Sequence, residues 1–155
     1  MWDPHTPYDT PEDFGNPFKD DPIEEWVTEE LIQKQRNSFG PHSAREVPGF
    51  DEDLGGKYTM GVGEIKNSSD AKEQIDAYDT GIKYADFYLN KVFEDLKKMN
   101  LWDDTAIIIS ADHGENQGEL NVWGDHQTAD HITNRVPLII RSVSYTHLTL
   151  PTNRE

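Results

Sequence analysis

Between Thr105 and Ala111 the chain reads TAIIISA, an apolar and β-branched run with Asp103-Asp104 before it and Asp112-His113-Gly114 directly after it. Such a run, bounded by turn-forming and acidic residues, predicts a central, parallel-type strand buried on both faces. In open α/β sheets ligands bind just beyond the carboxyl ends of the strands. Asp112 and His113 therefore stand where chemistry is expected. With His126 and His131 a short way downstream, the segment points to a metal-assisted hydrolase.

The rest of the chain is consistent with an α/β organisation. Residues 1–22 hold five prolines and little periodicity and read as an ordered loop or linker, with Pro4 and Pro7 stiffening the backbone on either side of His5. A short helix is predicted from Ile23 to about Asn37, with Asp21 as its cap and Pro22 in its first turn. Residues 38–66, rich in Gly and Pro, read as irregular loop. A long helix follows, capped by Ser68 or Ser69, in which Ala71, Ile75, Tyr78, Ile82, Ala85, Leu89, Val92 and Leu96 form an apolar stripe that packs on a sheet. Gly81 inside it costs roughly 1 kcal/mol relative to alanine and so marks a close approach or a bend. Asn100 ends this helix, a short connection leads to the strand at Thr105, and a second strand runs from Val136 to Ile140.

Composition narrows the function. Fourteen basic against 30 acidic residues leave a net charge of -16, which disfavours nucleic acid and anionic membranes as partners. It also counts mildly against a highly sulfated polymer, unless a basic groove lies elsewhere. There is no cysteine, hence no disulfide and no thiol nucleophile. No run has the apolar length of a membrane span, and the start, MWDPHTPY, reads as the middle of a longer protein rather than a signal peptide. The compartment stays open. The last fourteen residues, SVSYTHLTLPTNRE, change composition abruptly and resemble translated adapter sequence. They are expected to be a non-native tail, residues 142–155, so His147 is no site candidate.

The chemistry-bearing side chains divide into two groups. Asp112 and His113 offer one carboxylate and one imidazole. Neighbours in a strand face opposite ways, so both reach one metal ion only if the backbone turns, which Gly114 permits. Glu115 is expected to orient His113 from behind. Mixed oxygen and nitrogen ligation suits Mn²⁺, Zn²⁺ or Fe²⁺, whereas calcium ordinarily takes oxygen ligands. Two ligands make no complete site, and an Asp-His pair taken alone is as readily structural. His126 and His131 lie outside the spacing of a helical pair, so a loop is expected to present both inward, to hold a tetrahedral anion or protonate a leaving oxygen. Asp125 and Asp130 precede them and are expected to raise their basicity. Exposed loop histidines among acidic residues are the alternative, and His5 by itself reads as structural.

Taken together and in order, WDPHTPY at residues 2–8, the helix ending in LKKMNLWDDTAIIISADHGE, and GDH followed by RVPLII resemble the sulfatase family of the alkaline phosphatase superfamily over nearly all of residues 1–141. The resemblance implies a partial alkaline-phosphatase-like sandwich, a mostly parallel sheet flanked by helices. It implies that Asp112 is a metal ligand with His113 beside it, and that the cation is a divalent metal, Ca²⁺ first, with Mn²⁺ or Zn²⁺ the alternatives. It implies that His5 contacts sulfate and helps to protonate the leaving alcohol, and that His126 borders the site. His131 stands where many relatives carry a sulfate-holding lysine, and an imidazole is shorter and charged only below its pKa. The loop between His113 and Gly124 is also longer than in compact relatives.

Two family elements have no counterpart in these residues: the Cys/Ser-x-Pro-Ser-Arg segment that yields a formylglycine nucleophile, and the first Asp-Asp metal pair. Both are expected upstream, so residues 1–141 read as the later part of a catalytic domain that does not turn over substrate alone. The function expected of the parent is metal-assisted hydrolysis of a sulfate monoester, a sugar sulfate being the plausible substrate. The rivals are a phosphodiesterase or phosphonate monoester hydrolase of the same superfamily, and a non-catalytic cation-binding module.

Overall fold

A computed structural model describes residues 4, 5, 8, 10–38, 40, 42–47 and 63–143 of the chain. In order along the chain these form a 3-10 turn at Glu12–Phe14, helix α1 (Glu29–Arg36), helix α2 (Ser68–Lys98), a 3-10 turn at Trp102–Asp104, and strands β1 (Ile107–Ser110), β2 (Asn116–Gln117), β3 (Trp123–Asp125) and β4 (Leu138–Arg141). The architecture is mixed α/β. Residues 48–62, the middle of the predicted irregular loop, and 144–155, most of the predicted tail, lie outside the described residues.

Helix α1 starts later than its apolar pattern predicts. Residues 21–28 are turns and extended chain, and the helix begins only after Thr28, whose hydroxyl accepts the Leu31 N–H at 3.2 Å. Neither Asp21 nor Pro22 acts as the start. The reason is a pair of apolar residues straddling the Thr28 cap. Val27 before it and Ile32 in the first turn are both buried in one cluster, fixing the entry angle of the chain. Glu29 and Glu30 in the first turn and Lys34 and Arg36 in the last suit the helix dipole.

Helix α2 is capped one residue before the predicted serines. The Asn67 side chain accepts N–H groups from Ser69 at 2.8 Å and Asp70 at 3.0 Å. At its other end Asn100 adopts φ +55°, as predicted for the stop. The Asn100 N–H bonds to the Lys97 carbonyl at 3.0 Å and the Leu101 N–H to the Leu96 carbonyl at 2.9 Å, the paired closure of a left-handed helix end. The predicted stripe is covered most fully in its first half. Ala71 is buried and Ile75 packs against the core, but Ile82 and Val92 are 45% and 54% exposed. The second half gains instead a set of ring contacts, Phe14 against Tyr84 at 5.1 Å and Tyr84 against Tyr88 at 4.8 Å.

The core sits where α1, the start of α2 and the β2–β3 hairpin meet. Val27, Ile32, Ala44, Val47, Ile65, Ala71 and Trp123 are buried together there. Trp123 is fully buried, and its indole N–H reaches the Gln35 side-chain oxygen at 3.0 Å, while the Gln35 amide donates to the Gly118 carbonyl at 2.7 Å. Burial of the indole thus leaves its polar edge satisfied. Gly118, at φ +108°, lies flat against the Trp123 ring, and a side chain there would overlap it.

The strands depart from expectation in direction. β1 pairs with β4 antiparallel, Ile108 opposite Ile140 and Ile109 opposite Ile139, and β2 pairs with β3 antiparallel. A parallel sheet is not found among the described residues. An apolar run shows that both faces of a strand want cover, and it carries no information about which way its neighbour runs. Here the neighbour is reached by a return through residues 111–137, which reverses the chain. Ile108 is 70% exposed and Leu138 65%, so β1 is not central in this ladder.

Gly81 explains how the amino-terminal segment reaches the strand end. A Cβ at this position would lie 2.8 Å from Pro4 Cβ and 3.1 Å from Pro4 Cα. The glycine lets Pro4, and with it His5, seat on α2. Gly81→Ala is expected to lower the melting temperature. The overpacking costs about 1–3 kcal/mol against a gain in helix propensity of about 1 kcal/mol. Thermal unfolding of the two proteins checks this, and a variant that melts higher than the parent contradicts the packing described.

Candidate functional site

The site is built where β1 ends. The Gly114 N–H donates to the Thr133 carbonyl at 2.7 Å, and a Cβ on Gly114 would meet the Ile132 carbonyl oxygen at 3.1 Å. This turn directs Glu115 into the protein, where it is buried. Tyr8, at φ +59° and also buried, donates its hydroxyl proton to Glu115 Oε2 at 2.5 Å and accepts from Gln117 Nε2 at 2.6 Å. The Tyr8 N–H closes a turn on the His5 carbonyl at 3.0 Å, so His5 is carried to the same place. Tyr78 packs edge-on against Tyr8 with ring centres 5.4 Å apart. Burial, aided by the charges of Glu115, Asp79 and Glu119, pushes the Tyr78 phenol up to about 12.

Three imidazoles gather beside Glu115. The His126 ring stacks on His113 at 3.8 Å, and His5 meets the His126 ring edge-on at 5.5 Å. His126 Nδ1 lies 3.8 Å from Glu115 Oε1, beyond hydrogen-bond length, and is buried with no hydrogen-bond partner. One donor atom from each of His5, Glu115 and His126 falls within 4.8 Å of the other two.

Asp112 and His113 form the outer edge. The His113 N–H donates to Asp112 Oδ1 at 3.1 Å, and His113 Nδ1 sits 3.1 Å from the Gly114 carbonyl. With Nδ1–H donated to that carbonyl, Nε2 offers its lone pair, 3.9 Å from Asp112 Oδ2. Two atoms bonded at about 2.0–2.6 Å to one cation can stand that far apart. The donor pair therefore fits a shared divalent ion. Asp112 is exposed, and its own backbone N–H together with the His113 imidazole holds its carboxyl below the usual carboxylate range.

Of the residues singled out in the sequence, the structure brings His5, His113 and His126 together, sets Asp112 at their rim, and leaves His131 exposed. Three expectations change. Glu115 faces His126 and Tyr8 rather than orienting His113, because the Gly114 turn carries it inward. Asp125, buried, pairs with His42 at 3.6 Å. Asp130 holds its own loop, its carboxylate accepting the Ile132 N–H at 2.8 Å, the Thr133 N–H at 3.0 Å and the Asn116 side-chain amide at 3.1 Å. Neither acid is spent on the histidine that follows it. Tyr8 and Gln117 were not singled out. Their partners are more than a hundred residues away, and only the neighbourhood of Tyr8 to His5 hinted at a role.

A protein-family model described as Sulfatase matches residues 3–146, nearly the whole chain. The chain belongs to the sulfatase family, hydrolases that act on sulfate esters and generally use a metal ion. Among the described residues no helix is long and apolar enough to cross a membrane.

The Asp130 carboxyl is held well below its ordinary range, chiefly by the Thr128 hydroxyl and the Thr133 N–H. A carboxyl with a lowered folded pKa adds stability that is present above its unfolded value and is lost as pH falls through the folded one. Asp130→Asn is therefore expected to melt below the parent at neutral pH. The gap should shrink as pH drops below the ordinary carboxylate range. Melting temperatures of both proteins from pH 7 to pH 2 check this, and a gap that widens in acid contradicts it.

Proposed function

We propose that this member of the sulfatase family contributes the cation edge and the leaving-group side of a site that hydrolyses a sulfate monoester, with a sugar sulfate as substrate class. The observation that carries the reading is the gathering of His5, His113 and His126 at the end of β1, with Asp112 at its rim. Asp112 and His113 would hold a divalent cation, Ca²⁺ in first place, with Mn²⁺ or Zn²⁺ the alternatives for a mixed donor pair. When bound, the cation offsets the charge on the sulfate oxygens.

The chain's own residues do the rest. His5 gives its proton to the departing alcohol oxygen as the sulfur–oxygen bond breaks. His126, stacked on His113 and met edge-on by His5, borders the anion and restricts where His5 can turn. His131, exposed on the loop that Asp130 shapes, lines the anion pocket with His126. The nucleophile, a formylglycine, comes from a Cys/Ser-x-Pro-Ser-Arg segment outside these residues. The 155-residue chain accordingly gives no turnover by itself.

In the parent enzyme, proton donation by His5 makes a distinctive demand. His5→Ala is expected to lower kcat about 10²–10⁴-fold on a sugar sulfate, whose alcohol leaves poorly unless protonated. On 4-nitrophenyl sulfate, whose phenolate leaves unaided, the loss should be far smaller. Equal losses on the two substrates contradict the role of His5. A parent that cleaves phosphodiesters in preference to both contradicts the sulfatase reading.

A further inference from the structure

We propose that His5, Glu115 and His126 form a second metal site, selective for a borderline-soft divalent transition ion of the Zn²⁺ class and distinct from the Asp112–His113 edge. Two imidazoles and one carboxylate are a donor set suited to Zn²⁺ or Co²⁺ and poorly suited to Ca²⁺, which takes oxygen. The residues come from the amino-terminal segment, the turn after β1 and the end of β3, brought together by folding.

Two observations carry the assignment. The first is proximity: the three donor atoms lie within 4.8 Å of one another. Atoms bonded to one ion at about 2.0–2.1 Å stand no more than about 4.2 Å apart, so a small ring rotation closes the set. The second is an unmet need. His126 Nδ1 is buried without a hydrogen-bond partner and faces the buried Glu115 Oε1 across 3.8 Å. A buried nitrogen left in that state is costly, and an ion held beside Glu115 gives it a partner. The support behind the ligands is already in place, since the other Glu115 oxygen is held by the Tyr8 hydroxyl, itself bonded to Gln117.

This site goes beyond the sulfate-ester reading and does not need it. One consequence does rest on that reading: an ion on His5 and His126 removes the proton donor and the anion border together, so Zn²⁺ inhibits the parent enzyme. Metal binding by the 155-residue chain tests the site without any turnover, so its failure and the failure of the sulfatase reading are distinguishable.

The experiment titrates Co²⁺ into the chain in the presence of excess Ca²⁺ and follows visible ligand-field absorption, with Zn²⁺ as competitor. One Co²⁺ per chain, displaced by Zn²⁺, is expected. Glu115→Gln should weaken binding by about 100-fold or more, beyond what loss of a supporting partner costs. His5→Ala should do the same, and serves where far-UV circular dichroism shows the Glu115 variant unfolded. Asp112→Asn should leave the titration unchanged. Absence of ligand-field absorption, or a signal that survives in folded His5→Ala and disappears in Asp112→Asn, overturns the proposal.

Discussion

A carboxylate taken out of water has to be met by donors or by positive charge, and the rest of this site follows from how Glu115 is met. One partner is the Tyr8 hydroxyl, which lies 107 residues away in the chain. That bond, with the one from Gln117 to the same hydroxyl, ties the proline-rich amino-terminal segment to the hairpin that follows β1. It therefore decides where His5 is. Gly81 makes the approach sterically possible, the Tyr8 turn fixes the orientation, and Gln117 holds the far side of the phenol. Remove the carboxylate and Tyr8 loses the acceptor that orders it, and with it the phenol that Gln117 donates to.

The two ends of the site then differ in character. The Asp112–His113 edge is open, its carboxylate exposed and its imidazole aimed by a backbone carbonyl. The His5–Glu115–His126 cluster is partly buried and nitrogen-rich. An exposed carboxylate keeps its charge easily and attracts a hard cation. An interior with an unmatched ring nitrogen attracts a softer one or a proton. One short stretch after a strand thus presents two environments because Gly114 reverses the direction in which consecutive side chains point.

Much of this was legible in the sequence, and the parts that were not share a cause. The run TAIIISA announced β1, the Asn100 stop announced the end of α2, and Gly81 announced a close approach, because each signal is local. The motifs singled out His5, Asp112, His113 and His126, and the fold sets three of these side chains, the imidazoles, side by side. What escaped was long-range. The apolar run could not reveal that β4 returns antiparallel, nor that Ile108 stays exposed. The Asp125-His126 and Asp130-His131 neighbourhoods suggested pairs, whereas the fold turned Asp125 to His42 and Asp130 to its own loop amides. Thr28 won over Asp21 as a cap because Val27 and Ile32 had a core to enter, which a helix read in isolation does not disclose.

Glu115 and Tyr8 deliver His5 onto His126, and cross-relaxation between histidine ring protons in the folded chain reads that contact. Cross-peaks are expected from the His126 ring to both His113 and His5, matching ring separations of 3.8 and 5.5 Å. A His126–His113 peak with no His126–His5 peak would show an ordered strand end from which the amino-terminal segment is absent, and would overturn the placement of His5.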